Sequence, residues 1–151
     1  MDRIRNSYRI APLFLRAIVG AGFMVHGYAK ISRGLDGFEK LLVLEGVPLA
    51  HLSAILVPYI ELLGGFAILI GAYVVITAIP LLLTMLVAML AVQWRYGFSS
   101  VATIGLTSTG PKFGSPGYEI NLLYIACLIS LMITGAGIFS VDGLRKRKDI
   151  D

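Results

Sequence analysis

Four long runs of apolar residues dominate the chain, and polar or charged segments separate them. The runs cover about residues 10–29, 52–71, 74–93 and 120–139. Each has about the 20 residues that a helix needs to cross the hydrocarbon core of a bilayer. Backbone polar groups find no water there and must bond within the segment, so each run is predicted to be a helix. The pattern therefore predicts an all-α integral membrane protein, a four-helix bundle formed as one domain by residues 1–151.

The segments between the runs differ in length and character. Residues 35–45 carry apolar positions near helical spacing, which predicts a short amphipathic helix at the membrane surface. The turn at residues 71–73 is tight, and Pro80 is expected to kink the third run. Residues 98–117 are rich in Ser, Thr, Gly and Pro. A connection of this length is typical of a loop that carries function.

Composition supports a membrane environment. The chain is 57% hydrophobic and 15% charged, with a mean hydropathy of +0.83, whereas a soluble domain is about 45–50% apolar and about 25% charged. The net charge of +4 comes from tails and loops, so it indicates orientation at a membrane and no nucleic-acid-binding face. The single Cys127 excludes an intrachain disulfide and a Cys–Cys metal or redox pair. No metal site is predicted, because no zinc-binding motif appears.

Basic residues near the two ends predict the orientation of the chain. They are Arg3, Arg5, Arg9, Arg145, Lys146, Arg147 and Lys148. The positive-inside rule places both termini in the cytoplasm and both larger loops outside. Arg16 interrupts the first apolar run and no cleavage pattern follows it, so a cleaved signal peptide is not expected.

Ionisable side chains inside the runs are the candidate functional residues, because a charge at bilayer depth costs at least about 2.5–3.5 kcal/mol. Glu61 lies near the middle of the second run, and Gly64 and Gly65 share its helix face, which points it toward the bundle interior. Two roles stay open for Glu61: an acid that handles protons or binds a ligand, and a structural ion pair with Arg16. Arg16 is expected to bond Glu61 or Asp142, or to extend to the cytoplasmic surface.

Three more ionisable side chains are predicted at the outer end of the bundle. His26 and Lys30 are four residues apart and share a face, and Glu119 begins the fourth run at the same level. Such a cluster suits an anionic or quinone-like headgroup. The alternative is that Lys30 extends to the surface while His26 only packs. Haem ligation by His26 and His51 is a further alternative, which their positions near the interfaces disfavour.

Many of these residues resemble the pattern of the DoxX family of small bacterial membrane proteins. The matching positions are Arg16, Gly20, Phe23, His26, Gly27, Lys30, residues 58–65, Gly71, residues 117–123 and residues 135–142. The resemblance covers nearly all of residues 13–142 and implies a four-helix protein of the bacterial inner membrane that works with redox partners. One branch resembles the membrane subunit of a thiosulfate:quinone oxidoreductase, and others accompany thiol-homeostasis, quinone-detoxification or metal-stress systems. The chain shows no soluble sulfur-handling domain, so thiosulfate oxidation by this chain alone is not expected.

The leading hypothesis is a membrane subunit of a redox system that binds a quinone among its helices. Glu61 and His26 are assigned catalytic roles, and Arg16, Lys30 and Glu119 are assigned to ligand binding. No redox metal is encoded, so the electrons would come from a soluble redox partner protein or a bound substrate. The alternatives are a non-catalytic membrane anchor or assembly partner for a soluble oxidoreductase, and a small-solute or proton-coupled carrier. Four spans are few for a carrier unless the protein forms a homo-oligomer.

Overall fold

The computed structural model describes the backbone of residues 2–148 and the side chains of residues 10–145. Most basic side chains of the two tails, Arg3, Arg5, Arg9 and residues 146–148, therefore lie outside the described side chains. The described chain is mostly helical. Its α-helices are α1 (Asp2–Ser32), α2 (Leu35–Leu44), α3 (Ala50–Ile70), α4 (Val74–Val87), α5 (Glu119–Thr134) and α6 (Val141–Lys148).

Three spans among the described residues are long and apolar enough to cross a membrane. They are Ile10–Ser32, Ala50–Ile70 and Val74–Tyr96. They coincide with the first three predicted runs, and the chain is a multi-pass membrane protein. The third span continues α4 through a π-helical turn at Ala88–Gln93 and a 3-10 turn at Trp94–Tyr96. A π-helical turn inside a longer helix is frequently found at a functional site.

The fourth helix is shorter than the sequence predicted. α5 ends at Thr134, whereas the apolar run continues to Phe139. The backbone leaves the helical path at Gly135 (φ 75°) and again at Phe139 (φ 55°) before α6 begins. A hydropathy pattern cannot show that a glycine adopts a positive φ and ends a helix, so the sequence predicted a longer helix. The described residues thus contain three membrane-length helices and one shorter apolar helix, α5.

The all-α prediction is wrong in the long polar connection, which forms a small β-hairpin. Strand β1 (Thr103–Thr107) pairs antiparallel with strand β2 (Gly110–Phe113). The Thr107 hydroxyl donates a hydrogen bond of 2.8 Å to the carbonyl oxygen of Gly110 and fixes the turn. Strands this short carry too few alternating positions to be recognised from the sequence.

The most extensive helix contact joins α1 to α3. A Cβ atom on Gly20 would lie 2.7 Å from the carbonyl oxygen of Gly65, and a Cβ on Gly65 would lie equally close to Gly20. Gly27 approaches the backbone of Pro58 in the same way. Small residues let two backbones approach closely, which stabilises helix pairs in lipid. The antiparallel contact brings the last turns of α1 beside the first half of α3.

A compact set of apolar side chains lies where α1, α3, α4 and α5 meet. Its most deeply buried members are Val19, Phe23, Ile68, Val74, Ala78, Leu81, Leu128 and Leu131. Large apolar side chains also cover the outside of the helices, including Phe14, Ile76 and Ile133. A helix that is apolar all round is typical of a membrane span.

Candidate functional site

Glu61 forms a buried ion pair with Lys30. The ammonium group of Lys30 donates a hydrogen bond to the Oε2 atom of Glu61, and the side chains are 24% and 3% exposed, respectively. Helical side chains lean toward the N-terminus of their helix. Because α1 and α3 are antiparallel, Lys30 leans inward while Glu61 leans toward the end where α1 finishes. The buried position predicted for Glu61 is confirmed, but the predicted ion pair between Glu61 and Arg16 is wrong.

Arg16 lies at the opposite end of the bundle from Lys30. It is fully buried, and its Nη2 atom donates a hydrogen bond of 3.0 Å to the carbonyl oxygen of Phe139. Its guanidinium packs against the backbone of Gly71 and lies within electrostatic range of Asp142. Helical geometry is lost after α5, so carbonyl groups there need donors from elsewhere. Arg16 supplies such a donor. Of the two partners predicted for it, Glu61 and Asp142, it lies near Asp142.

Asp142 caps the start of α4. Its carboxylate oxygens accept hydrogen bonds from the backbone N–H groups of Tyr73 (2.8 Å) and Val74 (3.0 Å). The first N–H groups of a helix have no partner within the helix, and a carboxylate is a favoured acceptor for them. Arg16 and Asp142 together tie the segment between α5 and α6 to the turn between α3 and α4.

The predicted cluster of His26, Lys30 and Glu119 separates into three environments. Lys30 turns toward Glu61. Glu119 accepts a hydrogen bond of 2.9 Å from the backbone N–H of Ser100 and fixes the start of α5 to the preceding loop. The exposed His26 ring lies edge-on to Tyr124 with centroids 6.2 Å apart, and it is within electrostatic range of Glu61. The described contacts therefore do not gather the three side chains around one ligand.

A cavity of about 430 Å³ lies between α2, α3 and α4, with Lys30 and Glu61 at its inner end. Its other polar side chains are Ser53 and Thr84, and the Thr84 hydroxyl already donates a hydrogen bond of 2.8 Å to the carbonyl of Leu81. Ligand pockets in proteins typically measure about 300–1,000 Å³, with apolar walls and few polar groups. The cavity thus combines the size and lining of a binding site with one charged pair.

Two helical stripes form the walls of this cavity. They comprise Leu52, Ser53, Leu56, Val57, Ile60 and Glu61 on α3, and Pro80, Leu83, Thr84, Val87, Ala88 and Val92 on α4 and its π-helical extension. Phe38 and Leu42 of α2 complete the lining, with the Phe38 ring beside the ammonium group of Lys30. The predicted amphipathic helix is therefore confirmed as α2. The lining stripes could not be predicted from the sequence, because most positions on all faces of α3 and α4 are apolar.

The chemistry of the site rests on the ion pair. Lys30 offers N–H donors and Glu61 offers carboxylate acceptors in apolar surroundings, where hydrogen bonds to a ligand are strengthened. Among the described residues, no group of three or more His, Cys, Asp or Glu side chains is arranged to hold a metal ion. Neither Arg16, His26 nor Glu119 lines the cavity.

Comparison with known proteins found a similar protein and a matching family. The chain is similar to "Putative oxidoreductase CatD" of Bacillus subtilis (strain 168), with 27% identity over 139 residues that cover 92% of this chain and 90% of that protein. No solved structure matches the chain. The sequence profile of the DoxX family matches residues 11–94, which is more than half of the chain. The match includes most of α1 and all of α2 to α4, with the walls of the cavity. The protein therefore belongs to the DoxX family.

Proposed function

We propose that this protein is the membrane subunit of a redox system and binds a quinone-type molecule in the cavity between α2, α3 and α4. The observation that carries the proposal is the Lys30–Glu61 ion pair at the inner end of an otherwise apolar cavity. Burying two charges is costly, and a close glycine contact already joins α1 to α3. An ionisable pair at this depth therefore favours a functional role.

The ion pair matches both oxidation states of a quinone. A quinone carbonyl only accepts hydrogen bonds, and the Lys30 ammonium donates one. A hydroquinone hydroxyl also donates, and the Glu61 carboxylate accepts. Conversion of the quinone to the hydroquinone takes two protons and two electrons, and the electrons come from a reduced flavin or dithiol of a soluble partner protein. The name of the relative in Bacillus subtilis, an oxidoreductase, supports a redox role.

The remaining predicted site residues receive indirect roles. His26 is proposed to exchange protons with Glu61, since the two lie within electrostatic range. Arg16 and Glu119 are proposed to hold the helices and the loop that border the cavity, because their hydrogen bonds go to Phe139 and Ser100.

Quinone content tests the proposal directly. The protein is purified from cells into detergent, incubated with a quinone that carries an isoprenoid tail or with its tailless analogue, and washed. The quinone per chain is then measured by chromatography after solvent extraction. Glu61→Gln and Lys30→Met are compared with Glu39→Gln and Lys40→Met, which make the same changes outside the cavity. Loss of a charged hydrogen bond, about 1.5–3 kcal/mol, predicts at least about tenfold weaker binding for the first two variants. Equal quinone content in all four variants, or none in the unchanged protein, would reject the proposal.

The proposed topology is four crossings of the cytoplasmic membrane with both termini in the cytoplasm. The 16 residues of α5 span only about 24 Å, short of the roughly 30 Å of the hydrocarbon core. The segment after α5 is proposed to cross the rest of the hydrocarbon core. Within this segment, Ala136 (7% exposed) and Ser140 (3% exposed) are buried. Irregular backbone is tolerated at membrane depth where protein surrounds it.

Cysteine labelling in intact cells tests this topology. In a Cys127→Ser background, Ser108→Cys in the β-hairpin should react with a membrane-impermeant maleimide. Leu144→Cys in α6 should react only after the cells are opened. The reverse pattern would invert the orientation. Labelling of both sites in intact cells would place them on the same side of the membrane and would reject the crossing by α5.

A second candidate function is that of an anchor for a soluble oxidoreductase, and the β-hairpin favours it. Ile104, Leu106 and Phe113 of the hairpin are 63%, 85% and 61% exposed. Exposed apolar groups clustered on a polar loop are typical of a protein-binding surface. For a pure anchor, Leu106→Asp should abolish recovery of the partner, whereas the double variant Lys30→Met with Glu61→Leu should leave both partner recovery and activity unchanged.

A further inference from the structure

We infer that the ligand enters the cavity sideways from the lipid, between α3 and α4, and carries a long apolar tail that leaves through the same opening. The inference rests on the proposed function and narrows its substrate class. It selects membrane quinones with isoprenoid tails over small quinones dissolved in water.

The first observation is the position of the cavity rim. Leu56 on α3 is 47% exposed, Leu83 and Val87 on α4 are 60% and 38% exposed, and all three line the cavity. Each of these side chains therefore contacts the cavity on one side and the surroundings of the bundle on the other, so the three mark an opening. Both helices belong to spans of membrane length, so the outside at this level is hydrocarbon. The open side of the cavity faces acyl chains.

The second observation is that α2 covers the end of the cavity nearest to water. Leu42 is 5% exposed, and Phe38 lies under the ammonium group of Lys30, 5.3 Å from the ring centroid. An ion pair between Glu45 and Arg95 joins the end of α2 to the end of the third span. A ligand arriving from water would have to pass between α2 and the connection at residues 47–49, which also lines the cavity, whereas a ligand arriving from lipid meets only the rim.

The third observation is the volume. A cavity of about 430 Å³ is near the lower end of the range for ligand pockets, about 300–1,000 Å³. It accommodates a quinone ring beside Lys30 and Glu61 but not a long tail. A tail that leaves the cavity lies among lipid chains, which are as apolar as leucine side chains, so it incurs no loss of hydrophobic free energy.

The test compares two ligands and two matched variants. The protein is reconstituted into quinone-free phosphatidylcholine nanodiscs and titrated with 2,3-dimethoxy-5-methylbenzoquinone, either without a tail or with eight isoprene units. Leu83→Trp fills the rim, and Leu63→Trp places the same side chain on the exposed face of α3, where Leu63 is 64% exposed and does not line the cavity. The unchanged protein and Leu63→Trp should bind both quinones. Leu83→Trp should weaken binding of the tailed compound at least about tenfold more than it weakens binding of the tailless compound.

The other outcomes separate this inference from the proposed function. Normal binding of the tailed quinone by Leu83→Trp would show that the tail leaves elsewhere and would overturn the inference. Binding of only the tailless compound by the unchanged protein, or loss of both compounds in Leu83→Trp, would also overturn it while the proposed function stands. Binding of neither compound by the unchanged protein would reject the proposed function itself. Leu56→Trp, on the opposite rim, repeats the comparison if Leu83→Trp does not fold.

Discussion

Arg16 donates a hydrogen bond of 3.0 Å to the carbonyl oxygen of Phe139, which lies 123 residues further along the chain. The two residues belong to the first and last parts of the bundle. The backbone between α5 and α6 is irregular, and Phe139 has a positive φ of 55°. A carbonyl group in such a segment has no helical donor, so a buried guanidinium stabilises the break where lipid offers no hydrogen bonds.

Replacement of Arg16 should therefore destabilise the protein. Arg16→Met is expected to lower the free energy of unfolding by about 1.5–3 kcal/mol, the range for a hydrogen bond to a charged group. Arg16→Lys should rescue little of it, because the ammonium group lacks the planar fork of arginine. Thermal unfolding in detergent measures the effect. The exposed Arg33, near the end of α1, provides the control, since Arg33→Met should change stability by at most about 0.5 kcal/mol.

The two partners of the Lys30–Glu61 pair should differ in their response to mutation. Lys30→Met leaves Glu61, whose side chain is 3% exposed, as a buried unpaired charge, and a loss of about 3–5 kcal/mol is expected. Glu61→Leu should cost less stability, because the longer Lys30 side chain is already 24% exposed and can extend to the interface once Glu61 is removed.

The double variant Lys30→Met with Glu61→Leu should recover most of the stability lost in Lys30→Met, because it leaves no buried charge. Unfolding by urea or heat in detergent gives the four free energies of the mutant cycle. A double variant that is as unstable as the sum of the single changes would show that the two side chains do not interact.

Asp142 should contribute to stability through the start of α4. Asp142→Ala removes the acceptors of the N–H groups of Tyr73 and Val74, and the expected loss is about 0.5–2 kcal/mol. Asp142→Asn keeps one acceptor oxygen, so its stability should lie between that of the unchanged protein and that of Asp142→Ala. Asp36→Ala, at an exposed position of α2, is the control in the same thermal unfolding measurement. Equal midpoints for Asp142→Ala and Asp36→Ala would contradict the capping role.

The glycine contact between α1 and α3 should tolerate no side chain. Gly20→Ala places a methyl group 2.7 Å from the carbonyl oxygen of Gly65, and a destabilisation of about 1–3 kcal/mol is expected from the overpacking. Gly37→Ala in α2 meets nothing within 4 Å and should leave stability unchanged or raise it by up to about 1 kcal/mol. The thermal midpoint of Gly20→Ala should therefore fall, and that of Gly37→Ala should stay the same or rise. A Gly20→Ala midpoint equal to that of Gly37→Ala would show that the helices separate without cost.

The sequence by itself determined the features that follow from local pattern and from the solvent. Three spans, the amphipathic α2 and the tight turn at Gly71 were predicted where the structure has them. The interior position of Glu61 was also predictable. Hydrocarbon requires long apolar helices with satisfied backbones and excludes an unpaired carboxylate, so these features depend on no distant residue.

Only the tertiary structure decided which charged groups meet and where the cavity lies. Lys30 rather than Arg16 reaches Glu61, because the antiparallel contact fixes how far α1 is shifted along α3. No local sequence pattern encodes this shift. Likewise, Arg16 and Phe139 meet only because the fold packs the irregular segment between α5 and α6 against α1. Most positions on all faces of the helices that form the cavity walls are apolar. Which stripe lines the cavity therefore depends on packing between helices and leaves no periodic signal in the sequence.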